Sequence, residues 1–387
     1  MDLPNAESFL SRGFSRRQLG RIATLLTAGS TLPFYNEFAM AQDAERRQGR
    51  GAGGGRRPMD PDAVRINQNE NPMGPCEEGV EALAKAALMG WRYSPNNEQG
   101  ELVRAISETE DVPQDHIAAF AGSSDPLLRA MCAFTSPTQS WCMADPGYGG
   151  GAPAFIGSKL TRVPLRADFS HDGEAMIKAD PKAGAYYVVN PNNPTGTMTA
   201  RKEIDYILAH KAKDAVVIVD EAYIHFADNA QPCSDLVSQG KDVIVMRTFS
   251  KIYGMAGLRA GFAMARPDLL AKLRPYGVGF MPVTGLACAT ASLRVKALVP
   301  ARRAKMKRYR EDVFAFLDKK GVQYIPSQAN FFMMEVKRPG NDFAAAMAAE
   351  KVIIGRVWPT WPTKVRVSIG SVDEMFKFKA AFEKVWG

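Results

Sequence analysis

Three polar clusters close three short apolar runs, and between them they hold residue types suited to covalent chemistry on a small molecule. The first is Asn190-Pro191-Asn192-Asn193-Pro194-Thr195-Gly196, after Tyr186-Tyr187-Val188-Val189. The second is Asp220-Glu221-Ala222-Tyr223, after Val216-Val217-Ile218-Val219. The third is Arg247-Thr248-Phe249-Ser250-Lys251, after Val243-Ile244-Val245-Met246, with Gly257-Leu258-Arg259 downstream. A lysine amine is a nucleophile toward carbonyl carbon, and hydroxyls beside a guanidinium fork hold anions. Each cluster alone has a plain structural reading: Asn-Pro-Thr-Gly as a turn, a strand-end Asp as a helix cap. Turns and caps do not account for all three in this order, roughly 30 residues apart.

The elements that must position these residues are strands alternating with helices. That pattern predicts an α/β fold with a mostly parallel sheet covered by helices on both faces. Ligands of such sheets lie beyond the carboxyl ends of the strands, where the three clusters fall. Helical spacing is expected over 79–89 and 98–108. Gly122-Ser123-Ser124-Asp125 precedes a further helix, expected over about 126–134, whose first N–H groups would face an anion. Downstream, a long basic helix over 301–319, strands around 331–336 and 364–369, and a helix over 341–350 predict a smaller α+β C-terminal domain. The expected division is 61–75 as an N-terminal arm, 76–290 as a large domain and 291–387 as a small domain.

In these motifs, over roughly residues 62–387, the sequence resembles the fold-type I pyridoxal-phosphate (PLP) aminotransferases of class I/II, and within them the histidinol-phosphate aminotransferase branch. The resemblance implies that Lys251 forms the imine with the cofactor aldehyde and then moves the substrate proton. It implies that Asp220 pairs with the pyridinium nitrogen, that Asn193 and Tyr223 donate to the ring oxygen, and that Tyr148 stacks on the ring. Ser123, Ser124, Thr248, Ser250 and Arg259 would hold the phosphate. Tyr93 would reach the phosphate of a neighbouring subunit, which implies a homodimer with shared sites. On the substrate side the matches are Arg366 for a carboxylate or equivalent anion, Arg356 for a distal phosphate, Asn71 in the arm segment Asn69-Glu70-Asn71-Pro72, and Asn330.

The implied activity moves an amino group between an amino acid, or an amino-alcohol phosphate, and a 2-oxo acid. Decarboxylation or oxidation on the same fold is the alternative, because the scissile bond is chosen by small differences around Arg366 and Arg356. A non-enzymatic ligand sensor is the third reading; such proteins usually carry an added DNA-binding domain, and none is visible. The sequence departs from the branch at Met73, where a tyrosine is common, and at His225, where an acid is common. Trp358 and Trp361 make the loop between the two arginines unusually aromatic. These departures raise the expectation of an aromatic or bulky amino acid as substrate.

Composition sets the remaining bounds. The formal charge is +8, with five arginines in residues 42–57 against Asp43 and Glu45, which reads as a solvated linker over 42–60 rather than a nucleic-acid face. The five cysteines form no CxxC pair and the four histidines no metal spacing, so no metal is expected. No apolar run after residue 41 is long enough to span a bilayer. Ser15-Arg16-Arg17-Gln18-Leu19-Gly20, the apolar stretch 22–28 and Ala39-Met40-Ala41 resemble a twin-arginine signal over 1–41, an address for periplasmic or exported folded proteins. The alternative is a cytoplasmic protein whose basic amphipathic arm packs on a dimer partner.

Overall fold

The computed structural model describes residues 6–31, 60, 62–277 and 280–386. The linker expected over 42–60 lies outside the described residues except for Asp60, and so does the cleavage signal at 39–41. The first strand, β1 (Val64–Ile66), stands apart from the main sheet. Seven strands make that sheet: β2 (Ile117–Phe120), β3 (Trp141–Asp145), β4 (Leu160–Pro164), β5 (Ala185–Val189), β6 (Val216–Asp220), β7 (Val243–Thr248) and β8 (Gly261–Met264). Their spatial order is β2-β8-β7-β6-β5-β3-β4. Only β8 runs antiparallel to its neighbours, so β3 to β7 all end at one edge.

The β-branched runs explain this sheet. β5 and β6 are buried at every position, as central parallel strands must be when both faces are covered. Alternate side chains enter two different cores. Val217 and Val219 join Ile204, Phe249 and Phe262 on one face. Val216 and Ile218 join Leu127, Met131 and Leu270 on the other. At the carboxyl edge, Asp220 stands level with Val189 of β5 and Met246 of β7. Buried Arg247 ties the edge together, bonding Glu221 at 2.8 Å and pairing with Glu110; losing one member of such a buried pair is strongly destabilising.

The C-terminal part begins with the helix Leu298–Lys319, close to the expected 301–319. It continues through β9 (Tyr324–Ile325), β10 (Phe331–Glu335), β11 (Val352–Ile354) and β12 (Lys364–Ser368), with helices Gly340–Ala349 and Val372–Trp386. β12, β10 and β9 form an antiparallel sheet. β1 pairs in parallel with β11, Val64 opposite Val352, which fastens the arm to the C-terminal part. The helix Glu98–Glu110 starts where helical spacing places it, while Glu77–Ala87 and Ser124–Phe134 each start two residues earlier than expected. At the start of the chain, helices Ala6–Ser11 and Arg16–Thr31 pack on the main-sheet part. Among the described residues no helix is long and apolar enough to cross a membrane, and no cluster of metal-ligating side chains occurs.

Candidate active site

The three polar clusters converge on one cavity of about 260 Å³ at the carboxyl edge of the sheet. β6 delivers Asp220 and the following turn delivers Tyr223; the loop after β5 delivers Asn193, and the loop after β7 delivers Ser250 and Lys251. Ser123, Ser124, Tyr148, Thr248, Arg259, Arg356 and Arg366 complete the expected wall.

Lys251 reaches into the cavity from a half-buried position. Its Nζ donates to the backbone oxygens of Asn69 (3.1 Å) and Gln68 (3.3 Å). Burial pulls the amine down to about 8, with the charges of Arg366 and Arg259 acting the same way, while Glu70 and Asp220 oppose. An amine at this value is roughly one-tenth neutral at pH 7, far more than an ordinary lysine.

Asp220 is held from behind. Tyr187 Oη donates to its Oδ2 at 2.8 Å and the Ala222 N–H donates to its Oδ1 at 3.0 Å. Burial pushes the carboxyl up to about 6, against these two bonds and the charge of Lys251. Among the described residues no cation forms an ion pair with it. A buried acid so arranged is matched by a ring N–H⁺.

Anion donors gather elsewhere along the wall. Arg259 donates to Ser250 Oγ (3.4 Å), Ala256 O (3.0 Å) and Ala121 O (3.0 Å). Thr248 Oγ1 donates to Ser250 Oγ at 2.8 Å. Gly122, at φ +84°, leaves room that a Cβ would take from the Arg259 guanidinium. With Ser123 and Ser124 at the start of the helix Ser124–Phe134, hydroxyls, backbone N–H groups and a guanidinium form an anion cradle. An amine, an isolated acid and this cradle fit a pyridine aldehyde bearing a phosphate.

Arg366, on β12, donates to Asn193 Oδ1 (2.8 Å) and Asn67 O (2.9 Å). Arg366 and Arg356 both lie over the Trp358 ring, 5.5 and 4.5 Å from its centroid. Tyr223 Oη accepts from Asn69 Nδ2 at 3.1 Å, and burial raises the phenol well above its ordinary value.

Three expected residues lie off the cavity. Asn71 bonds the backbone oxygens of Lys251 and Ile252, both at 3.0 Å, and so supports the lysine from below. Asn330 is fully buried and donates to Asn69 O (3.2 Å) and Glu70 O (3.1 Å), fixing the arm. Tyr93 is 79% exposed and packs on Phe280 at 4.9 Å, touching nothing of the cavity in its own chain. The departures separate in the same way. Met73 packs against the apolar core, and Trp361 packs edge-on to Phe169 at 5.6 Å, so neither lines the cavity. His225 meets Tyr253 edge-on, and burial with two nearby arginines lowers it to about 3, leaving it neutral.

Sequence reasoning passed over Tyr187, although it stands in the quoted strand run, because its partner Asp220 is one strand away. It also named Asn71 where Asn69 faces the cavity; Asn69 is the left-handed residue (φ +54°) that Ser368 Oγ and Tyr223 hold.

Comparison with known proteins agrees with this geometry. The family model "Aminotransferase class I and II" matches residues 61–380. The chain is 33% identical to histidinol-phosphate aminotransferase 1 of Nitrosococcus oceani, over 84% of this chain and 89% of that one. A solved candidate histidinol-phosphate aminotransferase from Erwinia carotovora atroseptica is 30% identical with a TM-score of 0.79, covering 86% of this chain and 100% of that one. The Sinorhizobium meliloti histidinol-phosphate aminotransferase, solved with pyridoxal-5'-phosphate, is 25% identical with a TM-score of 0.73, covering 84% and 91%. The chain therefore belongs to the aminotransferase class I and II family, and it is a PLP-dependent transaminase of fold type I.

Proposed function

We propose that this transaminase takes an amino donor of the histidinol-phosphate type, with its amine beside Lys251 and an anionic group held by Arg366 and Arg356. The observation that carries the reading is the convergence of Lys251, Asp220 and the Ser250–Arg259 cradle on one cavity that also contains both arginines. When bound, PLP supplies the electron sink for the carbanion. The chain's own residues do the rest. Asp220 would keep a proton on the ring nitrogen, and Asn193 and Tyr223 would hold the ring oxygen. Ser123, Ser124, Thr248, Ser250 and Arg259 would hold the phosphate, and Tyr148 would pack on the ring. Lys251, its amine lowered to about 8, would take and return the substrate proton. Trp358 packs under the two guanidiniums and sets their height. With Met73, Trp358 and Trp361 all off the cavity wall, no aromatic departure faces the donor, and an anionic donor fits the two arginines better.

A half-reaction screen tests this. Loaded enzyme is mixed with single amino donors and its visible absorption is followed. Phosphorylated or acidic donors should convert the band fastest; equal conversion by neutral aliphatic donors would overturn the assignment. Release of carbon dioxide in place of a 2-oxo acid or aldehyde product would favour decarboxylation instead.

The exposed Tyr93 supports a homodimer with shared sites. Mixing a Tyr93→Ala chain with a Lys251→Ala chain should regain activity, because one site per mixed dimer is then intact; no regain would count against sharing. The Arg16-Arg17 pair supports export of the folded enzyme, and Arg16→Lys with Arg17→Lys should hold it in the cytoplasm in cell fractionation.

A further inference from the structure

Part of the stretch that resembles an export address, residues 6–24, is docked on the folded enzyme. Phe9, Phe14 and Ile22 are 0–2% exposed and enter the core that contains Leu127, Met131 and Ile156. Phe9 meets Phe14 and Tyr276 edge-on, at 5.4 and 5.5 Å. Arg12 donates to the backbone oxygens of Cys132 (2.7 Å), Ala133 (3.2 Å) and Thr135 (3.2 Å). A guanidinium there satisfies open carbonyls at the negative end of the helix Ser124–Phe134. Gln18 Nε2 donates at 3.3 Å to Gly157 O, just past the helix Gly151–Ile156. Arg16 and Arg17 themselves point to solvent.

Both helices so engaged start close to the cavity wall, one of them at the cradle serines. Ser124–Phe134 begins at Ser123 and Ser124, and Gly151–Ile156 begins three residues after Tyr148. The N-terminal segment contacts both from behind. We propose that residues 6–24 are an intramolecular brace for the cofactor site: they clamp these two helices together, so PLP is held more tightly while the segment is docked. The proposal rests on the PLP reading above. It gives the segment a role in loading the cofactor, separate from any role of the arginine pair as an address.

The test uses the full-length chain without cofactor, titrated with PLP by absorbance, together with hydrogen exchange. Arg12→Ala and Phe9→Ser should each raise the PLP dissociation constant about tenfold. They should also speed exchange in 121–134 and 146–157 while leaving β5 to β7 unchanged. The double variant Arg16→Ala/Arg17→Ala, altered only at exposed side chains, should bind as the parent does. A chain lacking residues 2–31 should match Arg12→Ala; if it fails to fold, the two point variants carry the test. Unchanged affinity in Arg12→Ala and Phe9→Ser would overturn the brace, as would an equal loss in the Arg16/Arg17 double variant. A parent chain that binds no PLP would instead sink the cofactor reading.

Discussion

Tyr187 Oη donates a 2.8 Å hydrogen bond to Asp220 Oδ2 from the neighbouring strand, so the acid at the end of β6 is steadied by a residue two positions before the end of β5. The bond favours the charged carboxylate. Tyr187→Phe should therefore raise Asp220 further above its ordinary range and loosen its hold on the cofactor nitrogen. A loss near 1 kcal/mol corresponds to cofactor binding about five- to tenfold weaker, read by titration of the visible band. The acid limb of the activity profile should move to higher pH, and a profile that stays in place would show that Tyr187 only fills space.

Asp220 also predicts how the cofactor-free chain responds to pH. Its folded value, about 6, lies above the ordinary 3.8. The folded chain thus binds this proton more tightly than the unfolded one, which favours folding below about pH 4 and is lost as pH rises through about 6. Melting of the parent between pH 4 and 7 should decline relative to Asp220→Asn, which lacks the titration. Parallel curves would place the acid in a more polar setting than its burial implies.

Lys251 predicts the rate of cofactor capture. With the amine lowered to about 8, the neutral fraction grows with pH, and the capture rate should rise to a plateau just above that value. Arg366→Gln removes the charge that lowers the amine most after burial, so the midpoint should shift upward. Lys251→Ala should reduce turnover by roughly a thousandfold or more; near-parental activity would remove the lysine from the mechanism.

Arg366→Ala should act mainly on donor binding. A lost charge-assisted pair costs about 1.5–3 kcal/mol, or a ten- to hundredfold fall in kcat/KM, carried mostly by KM. Because Arg366 also steadies Asn193, a smaller change in cofactor absorbance should accompany it. An unchanged KM would move the anion to Arg356.

The sequence made the sheet and its reactive edge legible for a local reason. Each chemical residue lies within a few positions of a β-branched run whose burial forces it into the sheet, so Asn193, Asp220 and Lys251 could be placed from pattern alone. What stayed hidden depends on contacts between distant segments. The pairing of Val64 with Val352, the bond from Asn330 to the arm, and the choice of Asn69 over Asn71 come from chain ends meeting across more than 250 residues. No local periodicity carries that information. Trp361 misled because loop aromatics look alike in sequence, whether they face a cavity or pack on Phe169.

The pairing of β1 with β11 also sets an order of events at the ribosome. The carbonyls that receive the Lys251 amine belong to residues 68 and 69. That segment is secured by Asn330, Arg366 and Ser368. Strands synthesised in the first two-thirds of translation can assemble the sheet, yet the lysine gains its surroundings only when the closing stretch emerges. Such widely separated contacts form late, so a nascent chain should be unable to capture the aldehyde until synthesis is almost finished.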